Sequence, residues 1–354
     1  MGRLVGGACL ADSRVFRPGL QVHLYRLLIP MSRREVLVAL IIAVVVVGLA
    51  DLLTRRRTAN VVPRQVIRTI ASAPPHVDVL GIGNSLIAAD FDRSAIERTY
   101  RESGRSCAAI NGGLGSSGVI EHLALTRLAL RDRTVDTLVY GFFDQQMFLD
   151  VAASNSELVG NYNMHYYLEP QLTLEYARFN TFERLSFQAY RFSALLRERG
   201  SIWADVEKLR RAIGSVGMPP AEASQFGRKA DFALLEAGSA NSFLRRCQRL
   251  IRSGDFLAPP IQALLRQARE RGVTVVVVEM PVHPRHFSRY YSQPIWDEFR
   301  RGTRLAVERM GASYINASAW TPDASLFVDP LHLSKEGAKQ FSERLARQML
   351  QRPQ

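Results

Sequence analysis

Ser85, Asp329 and His332 are the residues whose types and spacing could do chemistry together. Ser85 ends the stretch Val77-Asp-Val-Leu-Gly-Ile-Gly-Asn-Ser-Leu86, an apolar run closing in a glycine-flanked polar turn. A serine hydroxyl is a weak nucleophile until a base removes its proton during attack. Asp329-Pro-Leu-His332 supplies such a base at a spacing that lets the carboxylate hold one imidazole nitrogen while the other faces a hydroxyl. Each half has a plainer reading, an ordinary strand-to-helix turn for Ser85 and a surface turn for Asp-x-x-His. Their pairing at opposite ends of one expected domain makes the chemical reading the more specific. A dinucleotide fingerprint is excluded, because Gly81-x-Gly83 meets Leu86 where a third glycine is required.

The elements that must position these groups alternate between strand and helix. Residues 77–83 read as a buried strand, which leaves Ser85 just past its carboxyl end, the edge where open α/β sheets bind ligands. Asp92 or Ser94 caps a helix over 95–103. Residues 106–110 form a second strand running into the loop Asn111-Gly-Gly-Leu-Gly-Ser-Ser-Gly118, whose exposed amides open a helix over 119–131. Strands at 135–141, 273–280 and 312–316 and helices at 261–271, 293–310 and 334–349 complete the series. This pattern predicts a parallel sheet covered on both faces. Residues 146–265 are less regular and read as a largely helical insertion that roofs the sheet edge, with helical stretches at 181–198 and 203–213 and a Gly/Pro/Ser-rich break at 214–224.

The 354-residue chain carries a formal net charge of +13. The positive charge is almost all arginine, interleaved with carboxylates along helices, and no aromatic-basic stripe accompanies it. Nucleic-acid binding is therefore not expected. Cys9, Cys107 and Cys247 have no metal-ligand spacing, so no metal is expected. Cys107 reads as a small core residue, and a Cys107–Cys247 disulfide stays open. Residues 1–34 do not read as the start of a folded domain, and Met31 reads as the natural start. Residues 36–53 form an apolar run between arginine clusters, expected as a transmembrane signal-anchor over 35–54 with a cleaved leader as the alternative. Residues 55–75 read as a polar juxtamembrane linker and 76–350 as the folded domain. Either form of the leader exports that domain, placing it in the periplasm or another extracytoplasmic space.

Gly83-Asn-Ser85, Asn111-Gly-Gly113, Gly141 and Asp329-Pro-Leu-His332, in this order at strand ends, resemble the SGNH (GDSL-like) hydrolase superfamily. The match covers about residues 76–145 and 270–350. The resemblance implies a flavodoxin-like three-layer α/β/α fold, an ester-cleaving or acyl-transferring site and no cofactor. It also implies Ser85 as nucleophile, His332 as base, Asp329 as its orienting acid, and the Ser85 and Gly113 amides as oxyanion donors. Two departures stand out. Asn84 replaces the family's aspartate, and Phe143 replaces the asparagine that would be a third oxyanion donor, with Asn111, Gln145 or His283 as replacements. Asn84, Asn111, His283 and Arg285 are the candidate substrate contacts, Arg285 for an anionic sugar or phosphate. His165, among Asn163, Tyr166 and Tyr167, reads as a structural histidine, with a sugar-stacking site as the alternative, and His76 and His122 read as surface or helix residues without function. An exported, tethered chain of this kind is similar to envelope proteins that move acyl groups on polysaccharides, often beside a multispanning acyltransferase. The expected partners are thus an acylated glycan or lipid and such a membrane enzyme.

Overall fold

The computed structural model describes residues 32–58, 61–115, 117–142, 170–177, 179–199, 202 and 247–351. Phe143, Gln145, His165, Cys9, the helix expected at 203–213 and the break at 214–224 lie outside them. The chain divides into two units, Met1–Leu53 and Thr54–Gln354. The described part of the first lies in helix α1, Arg33–Arg57, whose 25 residues include an 18-residue window of mean hydropathy 3.0 with none of it buried. At ~1.5 Å per residue this is long enough to cross a bilayer core of about 30 Å. Ser32 and Glu35 start the helix by exchanging side-chain and backbone hydrogen bonds, a capping box.

The second unit is built on a five-stranded sheet, β1 His76–Gly83, β2 Ala109–Asn111, β3 Thr134–Phe142, β4 Thr274–Glu279 and β5 Ser313–Asn316. Its order is β2-β1-β3-β4-β5, and every neighbouring pair is parallel. The expected α/β class and parallel sheet are therefore present, with the strand order of doubly wound flavodoxin-like sheets. Side chains alternate between two buried clusters. Val275 and Val277 face one, and Val276 and Val278 face the other. On the first face pack α2 (Val62–Ala71), α5 (Val119–Arg131), α9 (Pro259–Glu270) and α10 (Pro294–Arg309). On the second lie α3 (Ser85–Asp90), α4 (Arg93–Glu102) and α11 (Lys335–Leu350). Between β3 and α9 the described residues include α6 Pro170–Tyr176, α7 Thr181–Phe192 and α8 Ala194–Arg197.

Three local expectations are corrected. β2 is shorter than 106–110, because Ala108 already donates its amide to the Asp78 side chain and pairing with β1 starts at Ala109. Residues 55–75, expected as a polar juxtamembrane linker, contain helix. The helix of α1 continues to Arg57, and α2 buries Pro63 and Ile70. A helix also begins directly at Ser85, ahead of the one expected after Asp92. Asn84 caps it, accepting the Leu86 amide at 2.9 Å, whereas Asp92 caps α4.

Candidate active site

β1 and β3 stand at the point where the strand order reverses, and α3 leaves β1 there across three glycines. A Cβ on Gly83 would lie 2.6 Å from the Gly141 carbonyl and 2.7 Å from Ile87 Cγ1, and one on Gly141 would lie 2.4 Å from Ile87 Cδ1. On Gly113 it would lie 2.2 Å from the Ala88 amide nitrogen. The helix carrying Ser85 can therefore sit down on the sheet edge only where side chains are missing.

Ser85 is half-buried at the first residue of α3, where an amide has no intrahelical carbonyl partner. Its Oγ lies 2.8 Å from His332 Nε2, and His332 Nδ1 lies 2.8 Å from Asp329 Oδ2. Asp329 Oδ1 also accepts the backbone amides of Leu331 and His332, each at 2.8 Å. Burial pushes the Asp329 carboxyl up. The bonds from the His332 ring and the two amides outweigh it and hold the group below its ordinary value. The network assigns the Nδ1–H tautomer to His332, leaving Nε2 free to accept the Ser85 proton. This arrangement can deprotonate a hydroxyl as it attacks and stabilise the resulting imidazolium.

The other sequence candidates serve different purposes. Asn84 is 2% exposed and caps α3, so it does not face a substrate. Asn111 Nδ2 donates to the carbonyls of Ile87 and Phe91, each at 2.9 Å, and ties β2 to α3 and its end. Its Oδ1 accepts the Gly113 amide at 2.9 Å. The Gly113 N–H, expected as an oxyanion donor, is thus committed to a side chain in this conformation. His283 is half-buried behind β4. Its amide donates to the Pro330 carbonyl at 3.0 Å, its Nδ1 accepts the Arg285 amide, and its ring meets Phe327 edge-on. Burial and then Arg285 lower its basicity. Arg285 is exposed on the short helical segment Pro284–His286. Cys107 is half-buried ahead of β2 rather than in a strand, and Cys247 is buried.

The contacts of three groups near the site were not read from the sequence. His122 lies in α5, as one of its two sequence readings has it, and is buried there: Nε2 lies 2.9 Å from Ser117 Oγ and Nδ1 lies 2.8 Å from Tyr140 Oη. Glu279, fully buried at the end of β4, accepts two bonds from Arg300, one from Trp296 and one from Tyr314. It ties α10 and β5 to β4. Asp90, at the last residue of α3, is fully buried. Its signal was a lone carboxylate in the apolar run Ala88-Ala-Asp-Phe91.

No family model matches the chain, and no curated protein does. Solved structures of similar fold include a lipase/acylhydrolase from Enterococcus faecalis, 10% identical, with a TM-score of 0.37 over 77% of this chain and 95% of that one. A lipolytic protein of the G-D-S-L family from Desulfitobacterium hafniense is 8% identical, with a TM-score of 0.35 over 77% and 99%. A variant of an acetylxylan esterase from Geobacillus stearothermophilus is 9% identical, with a TM-score of 0.35 over 78% and 94%. Likenesses at this level identify neither family nor activity, so function is argued from the site.

Proposed function

We propose that the chain is an SGNH-like serine esterase or O-acyltransferase, anchored in the cytoplasmic membrane and working outside the cytoplasm on acyl esters of an envelope glycan or lipid. The observation that carries this reading is the chain of two 2.8 Å contacts from Ser85 Oγ through the His332 ring to Asp329. His332 Nε2 takes the Ser85 proton as Oγ attacks the ester carbonyl, and Asp329 stabilises the imidazolium. The proton then passes from Nε2 to the leaving alcohol, which leaves an acyl group on Ser85. Water or a sugar hydroxyl, deprotonated by the same nitrogen, takes the acyl group in the second half-reaction. The Ser85 amide at the start of α3 is one donor for the oxyanion. The Gly113 amide becomes the second once Asn111 Oδ1 releases it. The chemistry needs no cofactor.

Helix α1 supports the anchored form, and residues 36–53 are its membrane contact. Arg285, exposed beside the loop that packs on Pro330, is the group suited to an anionic substrate. A multispanning acyltransferase is the partner that would supply acyl groups to the transfer reaction. The Gly113 amide spent on Asn111 favours a second reading, a glycan-binding subunit without turnover. Exposure of the full chain in detergent to a fluorophosphonate, followed by intact mass and peptide mapping, separates the two. The esterase reading requires an adduct on Ser85 that is lost in Ser85→Ala and His332→Ala. No adduct on folded protein transfers the case to the binding subunit.

A further inference from the structure

Ser85 and His332 come from positions 247 residues apart, and something must hold their elements in register. Asp90 touches both. It closes the helix that Ser85 opens, and its Oδ1 accepts the amide of Leu333, the residue after His332, at 3.0 Å. Its backbone carbonyl accepts Ser342 Oγ of α11 at 3.0 Å, and the same Oγ accepts the Asp92 amide at 2.8 Å. The nucleophile helix is thus fastened to the base loop by a side chain and to the following helix by the main chain. The Asp90 side chain is fully buried. Asp90 Oδ2 is buried without a hydrogen-bond partner, a costly state.

We propose that Asp90 is a positioning residue, whose carboxyl oxygen holds the Leu333 amide so that His332 Nε2 stays within hydrogen-bonding reach of Ser85 Oγ. This rests on the esterase reading for its catalytic meaning. Burial, offset in part by the Leu333 amide, and then the negative charge of Asp329 push the Asp90 carboxyl well above its ordinary value.

The test uses Asp90→Asn, which keeps the acceptor oxygen, and Asp90→Leu, which removes it with the same heavy-atom branching. Two readouts are taken on the full chain: the maximal rate and half-saturating concentration of fluorophosphonate labelling, and the low-field proton resonance of His332 Nδ1–H. Asp90→Asn should label within about threefold of wild type. Asp90→Leu should lose roughly a hundredfold in maximal rate at unchanged half-saturation, the size expected for a misplacement of about 1 Å, and its His332 resonance should shift or vanish. Wild-type labelling rate in folded Asp90→Leu, or an unchanged resonance there, overturns the proposal. Loss of rate in Asp90→Asn overturns it as well, and that arm decides if Asp90→Leu does not fold. The resonance reads the position of His332 whether or not the wild type is labelled, so failure of the esterase reading is seen separately.

Discussion

Among the described residues of this domain two serine–histidine pairs make contact, and only one is arranged for chemistry. At the sheet edge Ser85 meets His332 at 2.8 Å, and at the end of the glycine loop Ser117 meets His122 at 2.9 Å. The third partners differ. Asp329 accepts from His332 Nδ1, which leaves Nε2 as an acceptor for the Ser85 proton. Ser117 Oγ instead donates to the Leu114 carbonyl, so its contact with His122 is filled by Nε2–H, and Nδ1 accepts the Tyr140 hydroxyl. The two imidazoles are thus opposite tautomers. One can take a serine proton and the other cannot. Exposure separates them further, because the side chains of His332 and Asp329 are 16% and 24% exposed whereas His122 is sealed. Burial alone drives His122 down to about 3, so it stays neutral and serves as cross-bracing between the glycine loop, α5 and β3. The comparison teaches that a serine beside a histidine becomes reactive through the third group and through access.

The largest effect that could break this contrast is at the nucleophile. Ser85→Ala should lower ester turnover by up to about 10⁶-fold if the triad acts as a unit, whereas Ser117→Ala should leave turnover within a few-fold and cost about 1 kcal/mol of stability. Steady-state assays with denaturant melts read both. Asp329→Asn comes next, with an expected loss on the order of 10⁴-fold in turnover through the wrong tautomer of His332. A pH profile of the residual activity checks that assignment. Gly113→Ala tests the packing beneath both loops. Its Cβ meets backbone rather than a flexible side-chain end, and about 1–3 kcal/mol of destabilisation is expected from thermal or urea unfolding.

The finest distinction is in pH dependence. His122 is depressed in the fold, so below its unfolded value of about 6.5 the unfolded chain binds a proton that the fold refuses. Its contribution to stability is present above that pH and is lost as pH falls toward 3. Unfolding free energies of His122→Gln, measured from pH 7 to pH 4, should fall less steeply than those of wild type. Asp90 has the opposite sign. Its carboxyl is raised, so the wild type loses stability relative to Asp90→Asn as pH climbs from about 4.

Much of this architecture was legible because its signals are local. The apolar run to Val278, the glycines at 83, 113 and 141 and the Asp329–His332 pair each announce themselves within a few residues. The Cβ clearances explain why those three positions are glycine. What stayed illegible depends on distant contacts. Nothing near Asn111 says that its amide will bind the nucleophile helix and occupy Gly113. Nothing near His122 reveals Tyr140, which arrives from another strand, and Asp90 looks like an ordinary helix-end carboxylate until Leu333 is brought to it.

The most direct measurement is a rapid-quench experiment on the full chain with p-nitrophenyl acetate, with mass mapping of the acetyl group. A stoichiometric burst with acetyl on Ser85, absent from His332→Ala and undisturbed by Ser117→Ala, is the expected result. Acetyl found on Ser117, or a folded protein that releases no burst and carries no acetyl group, would contradict the assignment of Ser85 as the activated serine.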